Sequence, residues 1–265
     1  MKMMSIVSGS SGNCTLISTA NTSILVDVGT SKKRINDSLH EIGMDMKDIN
    51  GILITHEHID HVRGLGVISR SYDIPVYATA ATLEEIDSIR SLGEYDKACC
   101  RQIEPNEEFV IGDISVCSHS IWHDAADPVC YTFKRENKKI SIATDMGGYD
   151  DYIINALSDS DIMLIEANHD IRMLEVGPYP YELKHRILGK YGHLSNESSG
   201  QLIKRLLNNH IKGILLGHLS KENNYPELAY ETVKCELDGN CFSDDVRDFN
   251  LKVASRDSRS ELIAV

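Results

Sequence analysis

Apolar positions in this chain fall in short continuous runs more often than in alternation, a pattern that predicts strands buried on both faces. Residues 3–7 and 14–18 form two such strands joined by Ser8-Gly-Ser-Ser-Gly-Asn13, and Ile24-Leu25-Val26-Asp27-Val28-Gly29 is a third with a carboxylate near its end. A helix over 31–43 follows, with Ser31 as N-cap and Gly43 as stop. Ile52-Leu53-Ile54 is the next strand, then come a helix over 62–72, a strand over 75–78 and a helix over 81–92 that starts near Thr79 or Thr82. From Phe109 strands dominate. Segments 109–111 and 114–120 read as a hairpin about Gly112-Asp113, 129–134 and 139–144 as a second pair, and 161–167 as another buried strand. Ser195 caps a helix reaching about residue 209, in which Leu202, Ile203, Leu206 and Leu207 share a face. A strand over 213–216, a helix over 227–237 and a strand over 250–254 complete the pattern.

Strand after strand ends in histidine or aspartate, at Asp27, His56, His123, Asp145, His169 and His218. If these strands belong to the same two sheets, their ends converge on one edge, the usual place for an α/β site. The densest cluster follows Ile52-Leu53-Ile54, where His56, His58, Asp60 and His61 place three imidazoles and one carboxylate within six residues. Imidazole and carboxylate are ligands for zinc, manganese, iron and nickel, and no thiolate adjoins them. A solvated histidine-rich turn is the competing reading. It fits poorly, because the cluster punctuates a strand and the chain resumes with Gly64-Leu65-Gly66.

Length and composition set the bounds. A chain of 265 residues that is 42% hydrophobic can bury a sizeable core, and a single domain over 1–265 is expected. No stretch approaches the ~20 apolar residues of a membrane span, and the first residues lack the apolar core of a secretion signal. Cys14, Cys99, Cys100, Cys117, Cys130, Cys235 and Cys241 make an odd set of seven without a Cys-x-x-Cys pair. That argues against a disulfide framework and for a reducing compartment, with the cytoplasm as the expected location. A formal charge of −13 argues against broad, sequence-independent attraction to nucleic acid. It leaves room for a local anion site, since a pair of divalent cations would supply positive charge within an acidic protein.

His56, His58, Asp60 and His61 resemble the signature of the metallo-β-lactamase superfamily, and the likeness extends over nearly the whole chain. The resemblance implies an α/β protein (α+β in some schemes), a four-layer αββα sandwich with two mixed β-sheets. It implies two divalent ions: one held by His56, His58 and His123, the other by Asp60, His61 and His218, with Asp145 bridging. His119 competes with His123, which is preferred because it follows a strand and lies in the open segment Trp122-His-Asp-Ala-Ala-Asp127. Asp145 could instead be a turn residue before Gly147-Gly148; bridging is favoured because cations ~3.5–4 Å apart need a shared anion. The metal stays open among Zn, Mn, Fe and Ni.

Several phrases are similar to the WalJ/YycJ (VicX) branch of that superfamily: Ser8-Gly-Ser-Ser-Gly-Asn13, His123-Asp-Ala-Ala-Asp-Pro128, Asn168-His-Asp170, Gly192-His-Leu-Ser-Asn196 and Gly217-His-Leu-Ser-Lys-Glu-Asn-Asn224. This likeness implies a metal-dependent 5′-to-3′ DNA exonuclease linked to a bacterial cell-wall two-component system. A β-CASP insertion is not expected, because strand and helix patterns account for the stretch between Asp145 and His218.

The expected reaction is phosphodiester hydrolysis by a metal-bridging hydroxide, with two cations lowering the pKa of water toward neutrality and Asp60 holding or accepting its proton. His193 resembles the His-Ser/Thr segment by which nucleases of the superfamily contact the scissile phosphate or protonate the leaving oxygen; an incidental histidine in a capping loop is the alternative. Asp27 is expected to orient a ligand imidazole, and His169 is balanced between that role and a structural one. Ser10, Ser11, Asn13, Ser195, Lys221 and Asn223 are candidates to grip DNA or its 5′ phosphate, although a tight β-connection would explain the first loop equally well. His40, His185 and His210 lie in polar surroundings and take no role. Two other functions compete: a thioesterase or lactonase of glyoxalase II type on the same ions, and a non-catalytic sensor or scaffold. The Ser/Gly/Asn loop and the two Gly-His-Leu-Ser segments suit an extended anion better than an acyl group. No membrane association or obligate protein partner is readable.

Overall fold

The protein is described here by a computed structural model covering residues 1–238 and 250–265. Its apolar runs form β1 (Lys2–Val7), β2 (Cys14–Ser18), β3 (Ser23–Val26), β4 (Gly51–Leu53), β5 (Val76–Ala78) and β6 (Cys100–Gln102). These make one sheet, with β14 (Ile263–Ala264) on the edge beyond β1. A second sheet runs in the order β13 (Asn250–Val253), β12 (Gly213–Gly217), β11 (Ile162–Glu166), β10 (Lys138–Ala143), β9 (Val129–Arg135), β8 (Ile114–Ser120), β7 (Glu108–Ile111). Both sheets are mixed. Pairing is antiparallel from β14 through β3 and from β7 through β10, and parallel from β3 through β6 and from β10 through β13.

Alternation along each strand sends neighbouring side chains into different layers. Ile24, Val26, Leu53, Tyr131, Phe133, Ile142, Leu164 and Leu215 pack in one cluster between the sheets. Leu25 and Ile52 instead join a second cluster with Ile35 and Leu39 of α1 (Lys32–His40), Ile68 of α3 (Leu65–Ser69) and Ile86 of α4 (Ala80–Ser88). Met163, Ile165, Ile214 and Leu216 face a third, with Leu157 of α5 (Asp151–Leu157), Leu202 and Leu206 of α8 (Asn196–Leu206) and Val233 of α9 (Pro226–Asp238). The result is the expected αββα sandwich.

Several elements depart from expectation. The helix over 62–72 is two short ones, α2 (Ile59–Val62) and α3, because Gly64 between them donates its N–H to Val28 O at 2.8 Å. A Cβ at Gly64 would lie 2.4 Å from Thr30 O. Strands β6 and β14 are too short to carry a period, and pairing alone reveals them. Among the described residues no helix is long and apolar enough to cross a membrane. Cys241 and the segment around it lie outside the described residues.

Candidate metal centre

The strand ends that supply the site turn sharply. Asp27 follows β3, Asp145 lies just past β10 and His218 follows β12, and their φ angles are 59°, 60° and 56°. Left-handed backbone at a non-glycine residue costs on the order of 1–3 kcal/mol and concentrates at functional sites. The β1–β2 loop, the β3 corner and the His56–His61 turn are joined by Asn13 N–H to Asp60 O and Val28 N–H to His61 O, both 2.8 Å. Gly29 is required at their junction, because a Cβ there would sit 1.6 Å from Asp60 O.

Hydrogen bonds on the outer side of each ring fix its orientation. Thr55 Oγ1 donates to Asp27 Oδ2 at 2.9 Å, and with its proton so engaged it accepts from His56 Nδ1 at 3.0 Å. His61 Nδ1 donates to Asp27 Oδ2 at 2.8 Å, His123 Nδ1 to Gly192 O at 3.1 Å and His218 Nδ1 to Glu166 Oε1 at 3.0 Å. In all four rings Nε2 is therefore the nitrogen turned inward, and the one that offers a lone pair when the ring is neutral. These nitrogens converge on Asp145: Oδ2 lies 3.3 Å from His61 Nε2, and Oδ1 lies 3.3 Å from His218 Nε2 and 3.8 Å from His123 Nε2. Asp60 Oδ2 is 3.3 Å from His218 Nε2 and 3.5 Å from His61 Nε2, while His58 Nδ1 is 3.3 Å from His123 Nε2.

The donor geometry fits divalent cations. His56, His58 and His123 bring one nitrogen each to within 4.8 Å of one another; Asp60, His61 and His218 form a second such group, and Asp145 joins His56 and His61 in a third. His56 Nε2 and Asp145 Oδ2 are buried without a hydrogen-bond partner. Buried atoms left in that state cost about 1–3 kcal/mol each, and a cation among them removes the cost. The nitrogen and oxygen donors, without thiolate, suit zinc, manganese, iron or nickel.

The charges follow the same geometry. Burial, reinforced by the neighbouring histidines, holds His56 well below its usual pKa, so it stays neutral as a ligand must. Burial opposes a proton on His61 and His218, yet Asp145 and the other carboxylates outweigh it; His61 is raised well above its usual value and His218 to about 10. Burial likewise opposes ionisation of Asp60 and Asp145, but the His61 and His218 charges hold both carboxyls low. In the cation-free site these two histidines carry the positive charge that a metal ion would replace.

Glu166, the last residue of β11, has a role that its place in a buried strand does not announce. It is fully buried and accepts four hydrogen bonds: His193 Nδ1 (2.7 Å) and His218 Nδ1 on Oε1, and the N–H groups of Met146 (2.9 Å) and Leu194 (3.1 Å) on Oε2. A carboxylate closing an apolar run is the available signal, since a buried charge has to be paired. His193 stands on the rim, its ring 5.1 Å from that of His123 and 5.3 Å from that of His218. His169 is buried beside Asn168 and joins none of the metal-capable groups; burial lowers its pKa to about 4. His119 lies within β8, bonded to Thr132 Oγ1 at 3.0 Å and outside the cluster.

The six candidate substrate contacts separate into three kinds. Asn13 reaches the cluster, with Nδ2 3.1 Å from His61 Nε2 and 3.4 Å from Asp60 Oδ2. Ser10, Ser11 and Lys221 are exposed. Ser195 and Asn223 are buried; the Ser195 hydroxyl caps α8 by accepting from Ser198 N–H at 3.2 Å.

Comparison with known proteins agrees with this geometry. The family model for the beta-lactamase superfamily domain matches residues 22–213. The chain is 41% identical over 232 residues to exodeoxyribonuclease WalJ of Streptococcus pneumoniae, covering 88% of this chain and 86% of that one. It is 36% identical over 233 residues to exodeoxyribonuclease YycJ of Bacillus anthracis, covering 88% of each. The crystal structure of Zn(2+)-bound PqqB from Methylobacterium extorquens shares the fold, with a TM-score of 0.71 at 14% identity over 98% of this chain and 100% of that one. The chain belongs to the metallo-β-lactamase superfamily, in the branch that contains WalJ and YycJ.

Proposed function

We propose that this chain is a metal-dependent 5′-to-3′ exodeoxyribonuclease working with two divalent ions, one held by His56, His58 and His123 and the other by Asp60, His61 and His218, with Asp145 between them. The observation that carries the reading is the rim of inward-facing nitrogen and oxygen donors, in a chain whose relatives over 88% of its length are named exodeoxyribonucleases. Bound there, divalent ions would acidify water and neutralise phosphate oxygens.

The chain's own residues supply the remainder. Asp27 and Thr55 lock His61 and His56 in one tautomer. Asp60, 17% exposed at its side chain, can accept a hydrogen bond from the attacking water and so hold its proton, and the Asn13 amide steadies its Oδ2. Glu166 holds the Nδ1 proton of His193, which leaves Nε2 to serve the departing 3′-oxygen. Ser10, Ser11 and Lys221, all exposed, are the residues proposed to meet the strand near its 5′ phosphate.

The test uses 5′-phosphorylated duplex DNA and a metal series. Wild-type protein releases nucleotides and stops when the metal is chelated; Asp60→Ala and His61→Ala fold but release none. Retained activity in both variants sinks the assignment. Hydrolysis of an acyl-glutathione by the same batch, with DNA untouched, would move the protein to the ester hydrolases.

A further inference from the structure

Between β11 and α8 the chain leaves the sandwich and forms α6 (Ile171–Val176) and α7 (Tyr181–Leu188), and α7 buries none of its side chains. Helices in proteins are ordinarily stabilised by packing an apolar face, yet here apolar groups face solvent: Val176 is 86% exposed, Tyr181 74%, Tyr191 55% and Leu188 45%. The segment is also locally basic. Arg172, Lys184, Arg186 and Lys190 stand against Glu175 and Glu182, in a chain of net charge −13.

The segment adjoins the metal centre. Gly192 O receives the His123 Nδ1 proton, and Asp124 N–H donates to Tyr191 O at 3.1 Å. Lys190 Nζ lies 4.1 Å from the Trp122 ring centroid and 5.7 Å from that of Tyr191, which puts a cation between two aromatic faces one residue from His123. Arg186 is tied to Asp124. Aromatic faces beside basic groups suit a nucleic acid strand: stacking tolerates any base, while the cations meet phosphates. An apolar protein partner would have no use for the cations, and a membrane would leave the adjoining metal centre without its substrate.

We propose that the segment 181–191, together with Trp122, is the surface on which a single strand of DNA lies as it approaches the metal centre, a base stacking on the exposed Tyr191 ring and the phosphates meeting Lys184 and the Lys190 ammonium that Trp122 backs. The inference rests on the exonuclease reading and adds the residues that hold the strand. Because Trp122 is the sole tryptophan, its emission reports on this surface directly.

The experiment titrates the full-length, metal-loaded protein with a hydrolysis-resistant phosphorothioate oligothymidylate while following that emission. Wild type shows saturable quenching. Tyr191→Ala weakens the apparent Kd about tenfold, the loss of one stacked base, and Tyr191→Leu, which keeps apolar bulk without the aromatic face, weakens it as well. Lys184→Gln combined with Lys190→Gln lowers affinity and flattens its salt dependence. An unchanged Kd in these variants overturns the inference, as does the absence of quenching in wild-type protein that still degrades ordinary DNA. Tighter binding of oligouridylate than of oligothymidylate overturns the assignment to DNA. Absence of both quenching and degradation overturns the exonuclease reading itself.

Discussion

Glu166→Gln keeps the shape of the side chain and removes one acceptor oxygen from a place where four donors converge. Whichever way the amide is set, its NH2 group faces two of them. If it faces Met146 and Leu194, two buried backbone N–H groups lose their partner, at about 1–3 kcal/mol each, so the fold loses on the order of 2–6 kcal/mol. If it faces the histidines, His218 and His193 can accept only by moving their proton from Nδ1 to Nε2. On His218 that is the nitrogen whose lone pair the proposed metal needs, and losing such an orienting partner weakens metal affinity about 10–100-fold. Solvent cannot soften either outcome, because Glu166 is 0% exposed. Burial opposes its charge, but His193 and His218 hold the carboxyl well below the usual range. Its stabilisation is therefore complete above the unfolded value of about 4.3 and fades as pH falls through the lower folded value, an acid-side slope that glutamine removes. Thermal melts of the cation-free protein read the first outcome, and competition with a chromogenic chelator reads the second. A glutamine variant that melts within about 0.5 kcal/mol of wild type, the scatter of a neutral surface change, and binds metal as tightly would refute the claim that Glu166 sets the histidine tautomers.

Gly29→Ala places a methyl group 1.6 Å from Asp60 O and 2.8 Å from Asn13 N, and backbone atoms cannot rotate away. The expected cost is at or above the upper end of about 1–3 kcal/mol for overpacking; Gly43→Ala, with nothing within 4 Å and φ +75, meets only backbone strain. Equal melting temperatures for the two variants would contradict the close approach at Gly29. Metal uptake by the cation-free protein at pH 7 should release about two protons, because His61 and His218 are both raised and a ligand nitrogen must be unprotonated. Release should decline as pH rises toward about 10, where His218 gives up its proton unaided, and the stabilisation that its charge provides is lost over the same rise. Calorimetry in buffers of different ionisation enthalpy counts these protons, and none at pH 7 would rule the coupling out.

Much of the molecule was legible residue by residue, because the forces involved are local. Apolar runs, and in β8 an apolar alternation, form strands wherever they pair, so β1 to β4 and β8 to β12 fall close to their expected places. Ser31 and Ser195 cap helices because each hydroxyl accepts an N–H three residues on. The cluster from His56 to His61 announces metal chemistry before any fold is known, since so many lone pairs in one turn have few other uses.

Long-range geometry supplies the rest. Nothing near residue 166 in the chain says that its carboxylate will hold His193 and His218. Nothing near Gly64 says that Val28 will break the helix there. Asn13 and Asn223 are both asparagines in polar loop segments, yet one touches His61 and the other has its side chain sealed in the interior. Hydrogen bonding and burial depend on which segments meet, and segments as far apart in the chain as β1 and β14 meet only in the assembled sheet.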